Sequence, residues 1–246
     1  MKICRKNSSV LIIFTVACIF FIIFLNFFIQ NQEMSPQGNY VFSQSEKITV
    51  VLDAGHGGED GGTSGKNGAL EKDLNLAICM KIGKELTSQG INVLYTRTED
   101  VLLYDKNSNY TNRKKSLDLA ARVKIAQNTP NCIFISIHMN AFPDSKYSGL
   151  QTYYSKNNMQ SKYIATQIQS AVKKELQPQN NRKIVKASSN IYVLDRLECP
   201  AVLIECGFLS NYEESRLLST EIYQNQISKI ISSEIKKYVE KYSQTY

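Results

Sequence analysis

Three apolar runs of strand length, each ending in a residue that can hold a metal or move a proton, constrain this chain most. Ile48-Thr49-Val50-Val51-Leu52 leads through Asp53-Ala54-Gly55 into His56. Ile133-Phe134-Ile135-Ser136-Ile137 leads into His138, and Ala201-Val202-Leu203-Ile204 leads into Glu205. The chain has only two histidines, and these are both of them. In an α/β sheet, ligands bind at the carboxyl ends of parallel strands. The three runs can therefore bring two imidazoles and a carboxylate to one edge. Two histidines plus carboxylates can bind a catalytic zinc that keeps one position open for water. That chemistry is metal-assisted hydrolysis.

The segments between the runs have helical periodicity. Leu74, Ala77, Ile78, Ile82 and Leu86 recur at helical spacing over about 69–88, and Gly90 ends that helix. Leu117, Ala120, Ala121 and Ile125 mark a second helix, stopped by Pro130. Ile164, Ile168, Ala171, Val172 and Leu176 mark a third over 160–176, and helices are expected at 211–219 and 221–243. Further strands are expected at 91–96, 150–154 and 190–194. The alternation predicts an α/β fold: one domain with a mostly parallel sheet of about six strands, covered by helices on both faces.

The first 29 residues are of another class. Lys2, Arg5 and Lys6 precede Val10–Ile29, 20 residues broken only by Thr15 and Asn26. At about 1.5 Å per residue such a helix spans the hydrocarbon core of a bilayer. The run exceeds the usual apolar region of a secretory signal, and no Ala-x-Ala cleavage pattern follows. Residues 1–29 are expected to be a signal-anchor with its basic end in the cytoplasm. Residues 30–46, polar with Pro36 and Gly38, then form a linker, and 47–243 form a catalytic domain outside the membrane. The part beyond the anchor carries +4, from 26 basic and 22 acidic residues. This mild charge, with no aromatic-basic motif, argues against a nucleic-acid partner.

Six cysteines are present without CxxC spacing. Cys79 and Cys132 fall in apolar patterns, which favours buried free thiols over a disulfide framework. Cys206 adjoins Glu205, but no third histidine exists to activate it as a nucleophile.

Between His56 and the first helix lies a glycine-rich loop, Gly55 to Gly68. No Gly-Lys-Ser/Thr follows, so it is not a phosphate loop. It is long enough to fold back and bring Glu71, at the helix start, beside His56. Four strings now show a resemblance: Leu52-Asp53-Ala54-Gly55-His56-Gly57-Gly58, Glu71-Lys72-Asp73-Leu74-Asn75-Leu76, Ser136-Ile137-His138-Met139-Asn140-Ala141 and Glu205-Cys206-Gly207-Phe208-Leu209-Ser210-Asn211. In order and spacing the chain resembles zinc-dependent N-acetylmuramoyl-L-alanine amidases over about 47–243.

The resemblance implies one Zn2+ held by His56, Glu71 and His138, with Glu205 as the catalytic carboxylate. It implies a peptidoglycan substrate, cut between the lactyl group of muramic acid and the first L-alanine. Asp53 is a candidate to orient His56 from behind. Arg97, Asn140 and Asn211 are candidates to contact substrate. Relatives often carry Arg-x-x-x-Ala-Asn before the second histidine strand; here Arg122-Val123-Lys124-Ile125-Ala126-Gln127 ends in Gln. Some insert a blocking helix after the strand at 150–154, and here only a few residues follow Tyr154 before the next helix. A bare anchor plus catalytic domain resembles the sporulation-specific branch that trims spore-cortex peptidoglycan, which would place the domain in the forespore-side wall compartment. An activating or targeting protein partner, of unidentified kind, is compatible with this layout. The rival readings are another peptidoglycan zinc hydrolase (carboxypeptidase or deacetylase) and a non-catalytic, membrane-tethered wall-binding protein.

Overall fold

In a computed structural model, the described residues are 47–243, apart from 106, 108 and 109. The expected anchor and linker lie outside them. Among the described residues no helix is long and apolar enough to cross a membrane.

Six strands form one sheet: β1 (Thr49–Ala54), β2 (Asn92–Tyr95), β3 (Cys132–Asn140), β4 (Gln151–Tyr154), β5 (Val185–Lys186) and β6 (Ala201–Phe208). Their order is β2-β1-β3-β6-β4-β5. The pairs β1/β2, β1/β3, β3/β6 and β4/β5 are parallel, and β4/β6 is antiparallel. The helices are α1 (Glu71–Ser88), α2 (Lys114–Gln127), α3 (Met159–Glu175), α4 (Tyr192–Arg196), α5 (Tyr212–Leu218) and α6 (Glu221–Ser243).

The central strands are buried on both faces, which explains their unbroken apolar runs. On one face Val50, Leu52, Ile135, Ile137, Val202 and Ile204 pack under α1, α3 and α6. The helices contribute residues three or four apart: Leu74, Ile78, Ile82 and Leu86 from α1, and Ile227, Ile231 and Ile235 from α6. Each such side chain, fully buried, stabilises the fold by about 1.5–3 kcal/mol. On the other face Val51, Phe134 and Leu203 pack under Val123 and Ala126 of α2 and Val193 and Leu194 of α4.

The structure corrects one expected strand. Residues 190–194 read as extended because Ile191 and Val193 alternate, yet Tyr192–Arg196 is the short helix α4. Val193, Leu194 and Leu197 are all buried, a helical spacing that five residues could not reveal. The sixth strand is instead the two-residue β5, invisible as a pattern. Two strands also outrun their apolar runs. β3 continues through His138 to Asn140, and β6 through Glu205 to Phe208. Pairing continues across an irregularity between His138 and Asn140, and Leu209 N–H donates to Asn140 O at 2.8 Å. Only residues 155–158 join β4 to α3.

Candidate metal centre

The chain turns sharply after β1. His56 has φ of 61°, an uncommon left-handed conformation for a side-chain-bearing residue, and Gly57 and Gly58 follow at 140° and 53°. A Cβ on Gly55 would lie 2.2 Å from the His138 ring, so only glycine lets the turn approach that imidazole.

The turn is held from below by two buried arginines. Arg122 donates from Nη2 to His56 O (2.7 Å) and from Nη1 to Ala54 O (2.7 Å) and Asp53 Oδ1 (2.6 Å). Its Nε donates to Asp118 Oδ2 at 2.7 Å. Arg97 donates from Nε to Ala54 O, from Nη1 to Glu99 O, and from Nη2 to Gly55 O and Lys72 O, all at 2.8–3.0 Å. Strain at His56 persists because this network over-determines it.

Glu71, the first residue of α1, completes the site. Its Oε1 lies 3.1 Å from His56 Nε2 and 3.0 Å from His138 Nδ1, and it accepts Met139 N–H at 3.1 Å. Its Oε2 accepts Thr63 N–H at 2.8 Å. Burial pushes this carboxyl up, but hydrogen bonds from both imidazoles hold it far below the usual carboxylate range. The two rings sit 5.0 Å apart, edge to face. The donor atoms of His56, Glu71 and His138 all lie within 4.8 Å of one another. A tetrahedral ion with bonds of about 2.0–2.1 Å separates neighbouring donors by about 3.3 Å. The two spacings to Glu71 fit that value, and imidazole with carboxylate is a donor set suited to zinc.

Glu205 stands beside this group. The β3/β6 register pairs His138 with Glu205, so the two side chains leave the sheet at the same level. Glu205 Oε2 is sealed from solvent and has no hydrogen-bond partner. Burial pushes its carboxyl up to about 7. Arg182 lies close enough to oppose that rise.

Other expected site residues take different places. Asp53 does not bond His56 directly. Its carboxylate accepts from Thr96, Ser136 and Arg122, and it reaches His56 only through Arg122. The carboxylate beside His56 is Asp60, with Oδ2 2.9 Å from Nδ1 but out of line for a hydrogen bond. Arg97 is buried with every guanidinium nitrogen donating to a backbone carbonyl, which makes it a scaffold under the loop. Asn211 caps α5 by accepting Glu214 N–H at 3.0 Å and donates to Ser145 O. Asn140 ends β3 and is half-buried at the carboxyl edge. Cys206 is fully buried and its thiol is pushed up, leaving it inert.

Three residues that shape the site escaped the sequence reading. Arg122 was noted only as the first residue of a family motif, with no role assigned to it. Glu214 accepts Phe208 N–H and Gly149 N–H, tying the end of β6 to the loop before β4. Its position three after Asn211 resembles a capping box, which would have flagged it. Arg182 stacks 4.5 Å above the Phe208 ring and donates to Gln151 Oε1; no sequence pattern marks it.

Fold and site together define an α/β protein with a two-histidine, one-carboxylate cluster at the carboxyl edge of its sheet and a protonatable carboxylate alongside. The family model described as N-acetylmuramoyl-L-alanine amidase matches residues 50–237. The germination-specific N-acetylmuramoyl-L-alanine amidase of Bacillus subtilis is 35% identical over 189 residues, covering 77% of this chain and 78% of the relative. The CwlD amidase from Clostridioides difficile, solved in complex with the GerS lipoprotein, is 42% identical with a TM-score of 0.74, covering 79% of this chain and 99% of that one. The amidase AmiC2 of Nostoc punctiforme is 30% identical with a TM-score of 0.66, over 78% and 97%. The chain belongs to the N-acetylmuramoyl-L-alanine amidase family.

Proposed function

We propose that this chain is a zinc-dependent amidase that hydrolyses the bond between muramic acid and L-alanine in peptidoglycan, acting outside the membrane on the spore cortex. The observation that carries the reading is the convergence of His56, Glu71 and His138 on one point, with Glu205 level with His138 on the next strand.

His56, Glu71 and His138 would hold the ion. When bound, zinc supplies Lewis acidity, polarising an amide carbonyl and making water a better nucleophile. Glu205 then moves the proton. Its free Oε2 accepts a proton from the attacking water and returns it to the leaving amine, a task suited to a carboxyl poised near neutrality. The Arg122 and Arg97 network fixes the His56 loop so that the imidazole does not drift. Asn140, half-buried at the end of β3, would be the substrate-contacting candidate nearest the ligands. The germination-specific and CwlD relatives support the cortex assignment. The lipoprotein complex of the Clostridioides relative supports a lipoprotein partner here too, and co-purification with lipoproteins of the same cell tests it.

Digestion of purified peptidoglycan tests the main reading. Released stems with new L-alanine amino termini are expected; new D-alanine or deacetylated sugars would point to the rival hydrolases. Glu205→Gln should cut the rate by about 10²–10⁴-fold while leaving fold and zinc intact. Full activity in that variant would remove Glu205 from the mechanism.

A further inference from the structure

The far end of the sheet carries a second feature. Cys132 begins β3, and Cys199 lies just before β6. Their sulfurs are 3.1 Å apart. The β3/β6 register pairs Phe134 with Ala201. Extending it two residues back sets Cys132 opposite Cys199. Neighbouring strands lie about 4.7–4.9 Å apart. That falls within the Cα separation of about 4.4–6.8 Å that a disulfide accepts. The register of the two strands is thus compatible with the sulfur contact.

We propose that Cys132 and Cys199 form a dithiol that closes to an intramolecular disulfide, stapling together the two strands that carry His138 and Glu205. Cys132 is buried and its thiol is pushed up, by the contact with Cys199 and by burial, and among the four cysteines of the domain only Cys199 is partly accessible. Cys79 and Cys206 are sealed in the core with thiols pushed up by burial. Cys199 is half-exposed, and although burial opposes it, the hydrogen bond from Cys132 holds its thiol below the usual value. A cavity of about 460 Å³ lined by Lys47, Asn131, Cys132, Asn158 and Pro200 opens on the Cys132 side of the pair.

The chemistry balances with a low-molecular-weight disulfide as oxidant. The Cys199 thiolate attacks one of its sulfurs, forms a mixed disulfide and expels one thiolate. Cys132 loses its proton to solvent and attacks Cys199 Sγ, expelling the second. Two protein thiols are oxidised, and one external disulfide is reduced to two thiols. The closed loop spans 67 residues between the linked positions, so the cross-link removes much freedom from the unfolded chain. Strand residues rise about 3.3 Å each, which places the staple roughly 20 Å below His138. The proposal therefore does not depend on the amidase reading. A domain outside the membrane would be where such bonds persist.

The test uses the full chain equilibrated with oxidised and reduced glutathione at about −200 mV. After alkylation and digestion, a linked Cys132–Cys199 peptide is expected in most molecules. The oxidised protein should melt about 5–15 °C above the reduced one. Cys199→Ser and Cys132→Ser should each lose the linked peptide and the shift. Comparing two redox states of one protein keeps the test informative if either variant folds poorly. Recovery of Cys132 and Cys199 as alkylated thiols, or linkage to Cys79 or Cys206 instead, would overturn the proposal. So would a linked protein that melts no higher than the reduced one.

Discussion

Arg122→Met should be the most damaging single change outside the ligands themselves. Arg122 is 1% exposed, and its guanidinium bonds Asp53, Asp118, Ala54 O and His56 O at once. Methionine fills similar space but strands two buried carboxylates, at 1% and 3% exposure, and two carbonyls. Removing one partner of a buried ion pair costs about 3–5 kcal/mol, because the remaining charge stays desolvated. In a domain of this size each kcal/mol moves Tm by about 2–4 °C, so a fall of about 6–20 °C is expected. Burial alone would push the Asp53 carboxyl up; Arg122 first, then Ser136 and Thr96, hold it below its usual range. Losing Arg122 should therefore also make the protein more stable at mildly acid pH relative to neutral, since the buried Asp53 can then protonate. The His56 turn loses its lower support too, and zinc affinity should drop by about 10–100-fold, as for other groups that orient a ligand. Urea unfolding of the metal-free protein and zinc titration of the folded protein measure the two effects separately. Arg122→Lys should recover little, because an ammonium cannot span four acceptors in one plane. A stability loss below about 1 kcal/mol, the scale of an exposed pair, would refute the reasoning.

Three further outcomes are expected. His56→Ala, Glu71→Ala and His138→Ala should each lose zinc by elemental analysis, and Gly55→Ala should do the same by driving a Cβ into the His138 ring; stoichiometric zinc in His138→Ala would reject the ligand set. In the metal-free protein, Glu205 is raised from the ordinary 4.5 to about 7, so the fold binds its proton more tightly than the unfolded chain does. Its stabilising effect is complete below about 4.5 and lost as pH rises through 7, a cost of about 3 kcal/mol at pH 8; Glu205→Gln should remove that cost at pH 8 and not at pH 4.5, and identical differences at both would contradict it. Finally, cell-associated protein should retain its N-terminus; a mature chain beginning near residue 31 in the medium would sink the anchor.

What the sequence made legible follows physical period and chemistry. The buried strands announced themselves because both faces of β1, β3 and β6 are covered, so no polar alternation interrupts them. The two histidines were legible because a chain with only two offers few combinations, and the resemblance added Glu71 to them. The ends of β3 and β6 were not, since Glu205, Gly207 and Asn140 break the apolar pattern there. Arg97 shows another limit. From sequence it is one more arginine after a strand, and only the backbone carbonyls gathered around it reveal a scaffold. Asp53 and Asp60 show a third, because which carboxylate nears His56 depends on how a glycine loop folds back.

The same loop explains how one sheet edge keeps two carboxylates in opposite states. Glu71 is drawn under the loop, where two imidazoles and two backbone N–H groups point at its oxygens. Every one of those donors stabilises the anion, so Glu71 stays charged and suits a ligand. Glu205 rises from the middle of a buried strand into the same edge, with Oε2 unpartnered, and the charges of His138, His56 and Arg182 only partly offset its desolvation. Its neutral form is favoured instead, which leaves a proton that can come and go near neutrality. The difference originates in position, since the glycine loop and the end of β3 surround Glu71 with donors, whereas Glu205 Oε2 has none. A carboxylate at 71 could not take the proton-carrying role without losing its imidazole partners. One at 205 could not become a ligand without new donors to hold its charge.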